Sequence, residues 1–194
     1  MSDEVGRRTL VVWCPDWPVL ASGPEPAAAV VVVRANRVVA ASMAARAAGV
    51  EVGLRRRTAQ RRCPSVEVVE HDPGRDARAF EPVASSLDAV TPGVEVTQPG
   101  TLAFATRGPS RYFGGDDALA ERVAWMVSGA LGGRWPVRVG VADGAFGALL
   151  AAQQAHRRGT STVVVAPGEG AAFVAPHPVR SLLEALEVPE LVDV

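Results

Sequence analysis

The sequence predicts an α/β (α+β) chain in which a ferredoxin-like sheet carries a small inserted subdomain. Three observations carry that expectation. From Thr9 onward the apolar runs order as β-α-(β-β-α-α-β)-α-β-β-α-β-α-β, and removing the bracketed insert leaves a split βαβ pattern. In the centre, Val94, Val96, Leu102 and Phe104 recur at every second residue on either side of Gln98-Pro99-Gly100-Thr101, the period of two half-buried antiparallel strands. The composition, 48% hydrophobic and 21% charged over 194 residues, supplies the core of one large domain, or of a domain plus a subdomain.

The elements follow in order. Residues 9–13 form a compact apolar run, read as a buried strand. Pro15-Asp16-Trp17-Pro18 breaks it, and a short helix beginning at Trp17 ends by Pro24 and Pro26. Residues 29–33 and 37–40 pair as a hairpin through Arg34-Ala35-Asn36. Ser42 is placed as N-cap of a helix over 43–48, with Gly49 as its stop. An arginine-rich helix over 58–62 closes at Cys63-Pro64, and 66–69 is a strand. A longer helix starts at Asp72 or Pro73 and runs to about 87, with Phe80, Val83, Ala84 and Leu87 as its apolar stripe. In the central hairpin, Pro99-Gly100 suits a type II turn. Asp116-Asp117 cap a helix over 118–131 that buries Leu119, Val123, Met126 and Val127 and ends at Gly132-Gly133. Strand 137–142, helix 144–156 and strand 162–165 complete the sheet. Pro176-His177-Pro178 marks a boundary before a short helix over 179–186.

Composition excludes several functions. With a net charge of -1 and a pI of about 6.3, any nucleic-acid contact must come from a local patch. All 20 basic residues are arginine, so no lysine can serve as a Schiff-base nucleophile or grip a phosphate. Cys14 and Cys63 stand alone, without a CxxC knuckle, which fits a reduced interior. His71, His156 and His177 lack metal-ligand spacing. The run at 30–33 is far below the roughly 18 apolar residues of a membrane span, and the N-terminal residues lack the apolar stretch of a secretion signal. A cytoplasmic protein with no membrane contact is expected.

Several strings in series resemble Y-family DNA polymerases. Residues 40–50 followed by Gly53-Leu54 resemble the fingers string in which a Tyr and an Arg grip the incoming triphosphate. Arg61-Arg62-Cys63-Pro64 resembles the segment after it. Val94-Glu95-Val96 resembles the strand before the catalytic Ser-x-Asp-Glu, Val139-Gly140-Val141-Ala142 a later palm strand, and residues 175–182 the joint into the thumb. The resemblance implies a palm over 9–24 and 73–175 and a fingers-like insertion over 25–72. It makes 176–194 the start of a thumb-like segment or a tail, with thumb and little finger absent.

The departures from that family matter more. Its polymerases hold two Mg²⁺ ions with carboxylates from the first strand and the central hairpin. By alignment with the family those positions are Trp13, Gly100 and Thr101 here. The nucleotide-gripping Tyr aligns with Met43, the later helix has no Lys near Gly144-Ala145, and Trp17-Pro18 stands at the steric-gate pair. Only Arg46 carries over, as a candidate nucleotide-binding residue. This pattern resembles the ImuB-like group of the family, whose palms lack the metal-binding acids. The resemblance implies a non-catalytic hub in damage-induced translesion synthesis, without metal or cofactor. Its partners would be an ImuA-type RecA-like protein, an error-prone replicative-type DNA polymerase and the sliding clamp, with clamp and tail contacts outside this chain.

Two alternatives stay open from the residues. An active nucleotidyltransferase would need displaced acids, for which Asp16, Glu95 and Asp143 are nearest the expected strand ends; solvated or capping carboxylates are their ordinary reading. A DNA-binding module would use the densest positive patch, Arg55, Arg56, Arg57, Arg61 and Arg62, otherwise a solvated helix face. Arg46 is either a phosphate ligand or a surface arginine.

Overall fold

In a computed structural model that describes residues 6–176, β1 (Arg8–Trp13) is the middle strand of a five-stranded sheet. It pairs antiparallel with β6 (Thr101–Ala105) and β7 (Arg138–Asp143). The edges are β5 (Glu95–Gln98) and β8 (Thr162–Val164), giving the order β5-β6-β1-β7-β8. Without β8 that is the ferredoxin-like order. Leu10, Val12, Leu102, Phe104, Val139 and Val141 face two helices, α4 (Pro73–Ser85) and α6 (Asp116–Ala130), and bury against Phe80, Val83, Leu119, Val123 and Val127. On the opposite face Val11, Ala103 and Ala142 meet Ala148 and Ala151 of α7 (Ala145–Arg158). The middle strands are thus covered on both sides, so their valines and leucines run almost unbroken.

The insert forms a second sheet, in the order β3-β2-β4: β2 (Val30–Arg34), β3 (Arg37–Ala41) and β4 (Glu67–Glu70). Val31, Val33 and Val38 pack against Ala45 of α2 (Met43–Ala47) and Ala59 of α3 (Arg56–Arg62). Val30, Val32 and Ala40 on the other face pack against Val19 of α1 (Trp17–Ala21). α1 therefore packs on both sheets, through Trp17 on one and Val19 on the other. Ser42 fixes the start of α2: its hydroxyl accepts the Ala45 N–H at 3.2 Å and the Val30 N–H at 2.9 Å, and donates to the Ala28 carbonyl.

Some expectations are corrected. The central hairpin is not evenly half-buried: Thr101–Phe104 are buried on both faces, whereas β5 is an exposed edge with Val96 46% accessible. Two helices break the expected run, α5 (Arg107–Phe113) between β6 and α6, and α8 (Gly170–Val174) after β8. α3 begins at Arg56 rather than 58. Gly115, not Asp116, takes the N-cap position of α6. The Asp116 carboxylate instead accepts from the Arg8 Nε at 2.7 Å and from the Ser110 hydroxyl. Burial would raise its pKa, but Ser110 and Arg8 hold it below the ordinary 3.8. The expected helix over 179–186, with His177, lies outside the described residues. Among the described residues no helix is long and apolar enough to cross a membrane.

Candidate functional site

The last residue of β1, Trp13, pairs with Thr101 of β6 on one side and with Arg138 of β7 on the other. The Cys14 N–H donates to the Gly100 carbonyl at 2.8 Å, which holds the hairpin turn against the end of β1. Trp13, Gly100 and Thr101, predicted to correspond, are therefore brought together. Gly100 has φ +95°, and a Cβ there would stand 2.5 Å from the Trp17 Cβ and 2.9 Å from its Cγ. Trp17 has no room to withdraw. It is buried, its indole N–H donates to the Asp76 carbonyl at 2.9 Å, and its ring meets Phe80 edge-on at 4.8 Å. Above this end opens a cavity of about 600 Å³ between the two sheets, with Trp13, Asp16, Arg34, Val52, Gln98 and Thr101 in its walls.

Asp16 ion-pairs with Arg46, whose Nε also donates to the Ala41 carbonyl at 3.1 Å. Asp16 holds the N-cap position of α1 without a side-chain capping bond, at φ 54°, and its carboxylate is turned to Arg46 instead. Burial raises its pKa, and Arg46 offsets this only in part. Arg138 Nη1 donates to the Val137 carbonyl at 2.9 Å, and its Nε is buried with no acceptor among the described residues. His156, edge-on to Trp13 at 5.5 Å, titrates below 6.5 because of burial, with Arg138, Arg46 and Arg157 acting in the same direction and Asp16 opposing. Arg46 thus meets the Asp16 carboxylate directly, whereas Arg138 and Arg157 bear on His156.

The other acids do not complete a set. Glu95 is exposed on β5, three residues back from the turn. Asp143 pairs in register with Arg8 at the opposite end of β7, about 17 Å away at about 3.4 Å per residue. There it accepts from Arg8 at 3.4 Å and from the Gly168 N–H at 2.7 Å. Asp16, Glu95 and Asp143 are therefore not brought together, and no group of three His, Cys, Asp or Glu able to hold a metal occurs among the described residues. Sequence reasoning missed Asp76, which lines the cavity, is 2% accessible and lies between Arg75 at 3.1 Å and His71 at 3.3 Å. Its signal, an acid one turn after the Asp72 cap, reads as ordinary helix-start chemistry. A pair of divalent cations needs several converging carboxylates, and the groups at the end of β1 do not fit one.

Cys14 is buried, and burial pushes its thiol to about 12, so it is inert. Met43 is 76% accessible at the start of α2. Two of the five patch arginines are engaged: Arg56 pairs with Glu70 at 3.5 Å and Arg62 with Glu51 at 3.3 Å. Arg57 and Arg61, one turn apart on α3, are exposed and carry no ion pair among the described residues.

The model of the family described as impB/mucB/samB matches residues 23–153. Among solved structures the chain is similar to Dbh DNA polymerase in an insertion ternary complex, with TM-score 0.71 and 17% identity over 96% of this chain and 55% of that one. It is also similar to DinB from Sulfolobus solfataricus, with TM-score 0.66 and 18% identity over 86% and 50%. At such identities the likeness is one of fold, that of the palm and fingers region of Y-family polymerases. The chain spans about half the length of these structures. No curated protein matches it in sequence.

Proposed function

This chain belongs to the impB/mucB/samB family, and from that premise we propose that it is a non-catalytic, polymerase-like adaptor in translesion DNA synthesis, of the ImuB-like kind. In this reading residues 9–24 and 73–175 act as a palm, 25–72 as a fingers-like insertion and 176–194 as a thumb-like start or tail. Trp13, Gly100 and Thr101 stand where a polymerase needs acids. The observation that carries the proposal is the set of groups at the end of β1: Trp13, Gly100 and Thr101 bring no carboxylate there, Asp16 is already ion-paired with Arg46, and Asp76 is held by Arg75 and His71, so paired divalent cations find no converging acids. A fold kept without that chemistry is useful as a shaped surface. Its partners would then be an ImuA-type protein, an error-prone polymerase and the sliding clamp, acting in the cytoplasm.

Primed DNA tests this directly. With dNTPs and either Mg²⁺ or Mn²⁺ the protein should extend no primer. Extension that disappears in Asp16→Ala would instead establish an active nucleotidyltransferase. A second reading, DNA binding through α3, is favoured by the exposed, unpaired Arg57 and Arg61. The same primed DNA, followed by fluorescence anisotropy at low salt, should bind, and R57A/R61A should weaken binding and flatten its salt dependence. Binding that the double variant leaves unchanged would remove α3 from the interface.

A further inference from the structure

At the β5 edge the sheet keeps an apolar place that its own helices leave uncovered. Val96 pairs with Leu102 of β6, and directly paired residues point to the same face. Leu102 is fully buried in the core beneath α4 and α6, yet Val96 on that same face is 46% accessible. The reason lies in α4, which presents alanine at 77 and at 84, two turns apart, toward this edge. Neither fills the space beside Val96. What remains is a notch of about 310 Å³ lined by Ala77, Phe80, Glu81, Ala84, Val96 and Pro99.

The backbone is open there as well. β5 pairs with β6 alone, so the N–H and C=O groups of its outer side are available to a further strand. Two carboxylates flank the place. Glu81 is exposed at the rim of the notch, and Glu95 is exposed on the strand, one residue from Val96 and so on the opposite face. Neither makes an ion pair among the described residues. Arg78, one turn before Glu81 on α4, lies beside Gly74 and acts on Asp72 instead. A strand added to this edge would thus meet an apolar notch on one face and an uncompensated carboxylate on the other.

We propose that the β5 edge is a docking site for an extended protein segment in which apolar residues alternate with arginine or lysine. The segment adds to the sheet as a sixth strand. Its apolar side chains enter the notch beside Val96, and the basic side chains between them project to the other face and meet Glu95. Glu81 at the rim strengthens the same preference for positive charge. A second copy of this chain fits poorly, because joining two β5 edges antiparallel would gather their Glu95 carboxylates on one face. The inference rests on the adaptor reading, which gives the chain partners to hold.

The test is fluorescence anisotropy of a labelled pentapeptide, Arg-Val-Arg-Val-Arg, titrated with the unmodified protein. Two peptides serve as controls: Glu-Val-Glu-Val-Glu, of opposite charge, and Arg-Arg-Arg-Val-Val, of the same composition without the alternation. The alternating basic peptide should bind saturably and about tenfold more tightly than either control. Glu95→Arg should weaken it about tenfold and make the acidic peptide the tighter ligand. Val96→Arg fills the notch and should abolish binding of both. No saturable binding of the alternating basic peptide, equal binding of the peptide without alternation, or an affinity that E95R leaves unchanged would overturn the proposal. So would a dimer in sedimentation that V96R dissociates, which would put a second copy on this edge. Should V96R fail to fold, E95R and its switch of peptide preference decide alone. Primer extension would sink the adaptor reading, whereas absent peptide binding in a protein that extends no primer sinks this inference alone.

Discussion

Gly140→Ala should destabilise the protein by about 4 kcal/mol or more, the range reached only when a packed core cannot absorb a change. A Cβ at Gly140 would lie 2.0 Å from the Ala148 carbonyl oxygen and 2.4 Å from the Ala152 nitrogen. Both are backbone atoms of α7, so no side-chain rotation relieves the overlap; the helix itself must rise off the sheet. Gly140 pairs with Val11 of β1 and Val163 of β8, and lifting α7 would expose Val11, Ala142, Ala148 and Ala151 together. Urea unfolding measures the loss. Gly129→Ala on α6, where nothing lies within 4 Å, is the matched control and should be neutral or stabilising by up to about 1 kcal/mol. A G140A protein as stable as that control would mean that α7 does not seat on β7.

Gly100→Asp, which places an acid on the hairpin turn, should lower stability by about 3 kcal/mol and yield no metal-dependent activity. About 1–2 kcal/mol comes from forcing a side chain into a left-handed backbone, here φ +95°. The rest comes from overpacking, about 1–3 kcal/mol, because the new Cβ would overlap Trp17 at 2.5 Å. Trp17 is anchored by its indole bond to the Asp76 carbonyl and by Phe80, so the cost cannot be shed locally. The glycine turn and the seating of Trp17 are one structural arrangement. A G100D protein of undiminished stability that binds Mn²⁺ would contradict this.

Much of the fold was legible because its strands and caps depend on nearby residues. The Ser42 cap, the short helix at Trp17 and the Pro99-Gly100 turn all follow from local backbone chemistry. The burial of the central hairpin was not legible. Whether Thr101 and Ala103 face water or α7 depends on a helix that begins some forty residues later. α5 and α8 escaped for a different reason: Arg107-Gly108-Pro109-Ser110 reads as a turn, and only packing against α6 makes it helical. At the site, the convergence of Trp13, Gly100 and Thr101 was expected from the resemblance, and the strand register brings the three together. The surroundings of Asp16 were not visible, since Arg46 and His156, which act on it, come from distant parts of the chain. The network of Arg8, Asp116 and Asp143 was not visible for the same reason: Asp143 was expected near a strand end, and it closes β7 at the end away from Trp13.

The central claim is that the end of β1 does not hold paired divalent cations. Electron paramagnetic resonance of Mn²⁺, titrated into the protein with primed DNA and a dNTP, tests it most directly. The account predicts a spectrum matching Mn²⁺ with the DNA and dNTP alone. A spin-coupled signal from two Mn²⁺ ions about 4 Å apart, abolished by Asp16→Asn, would contradict it.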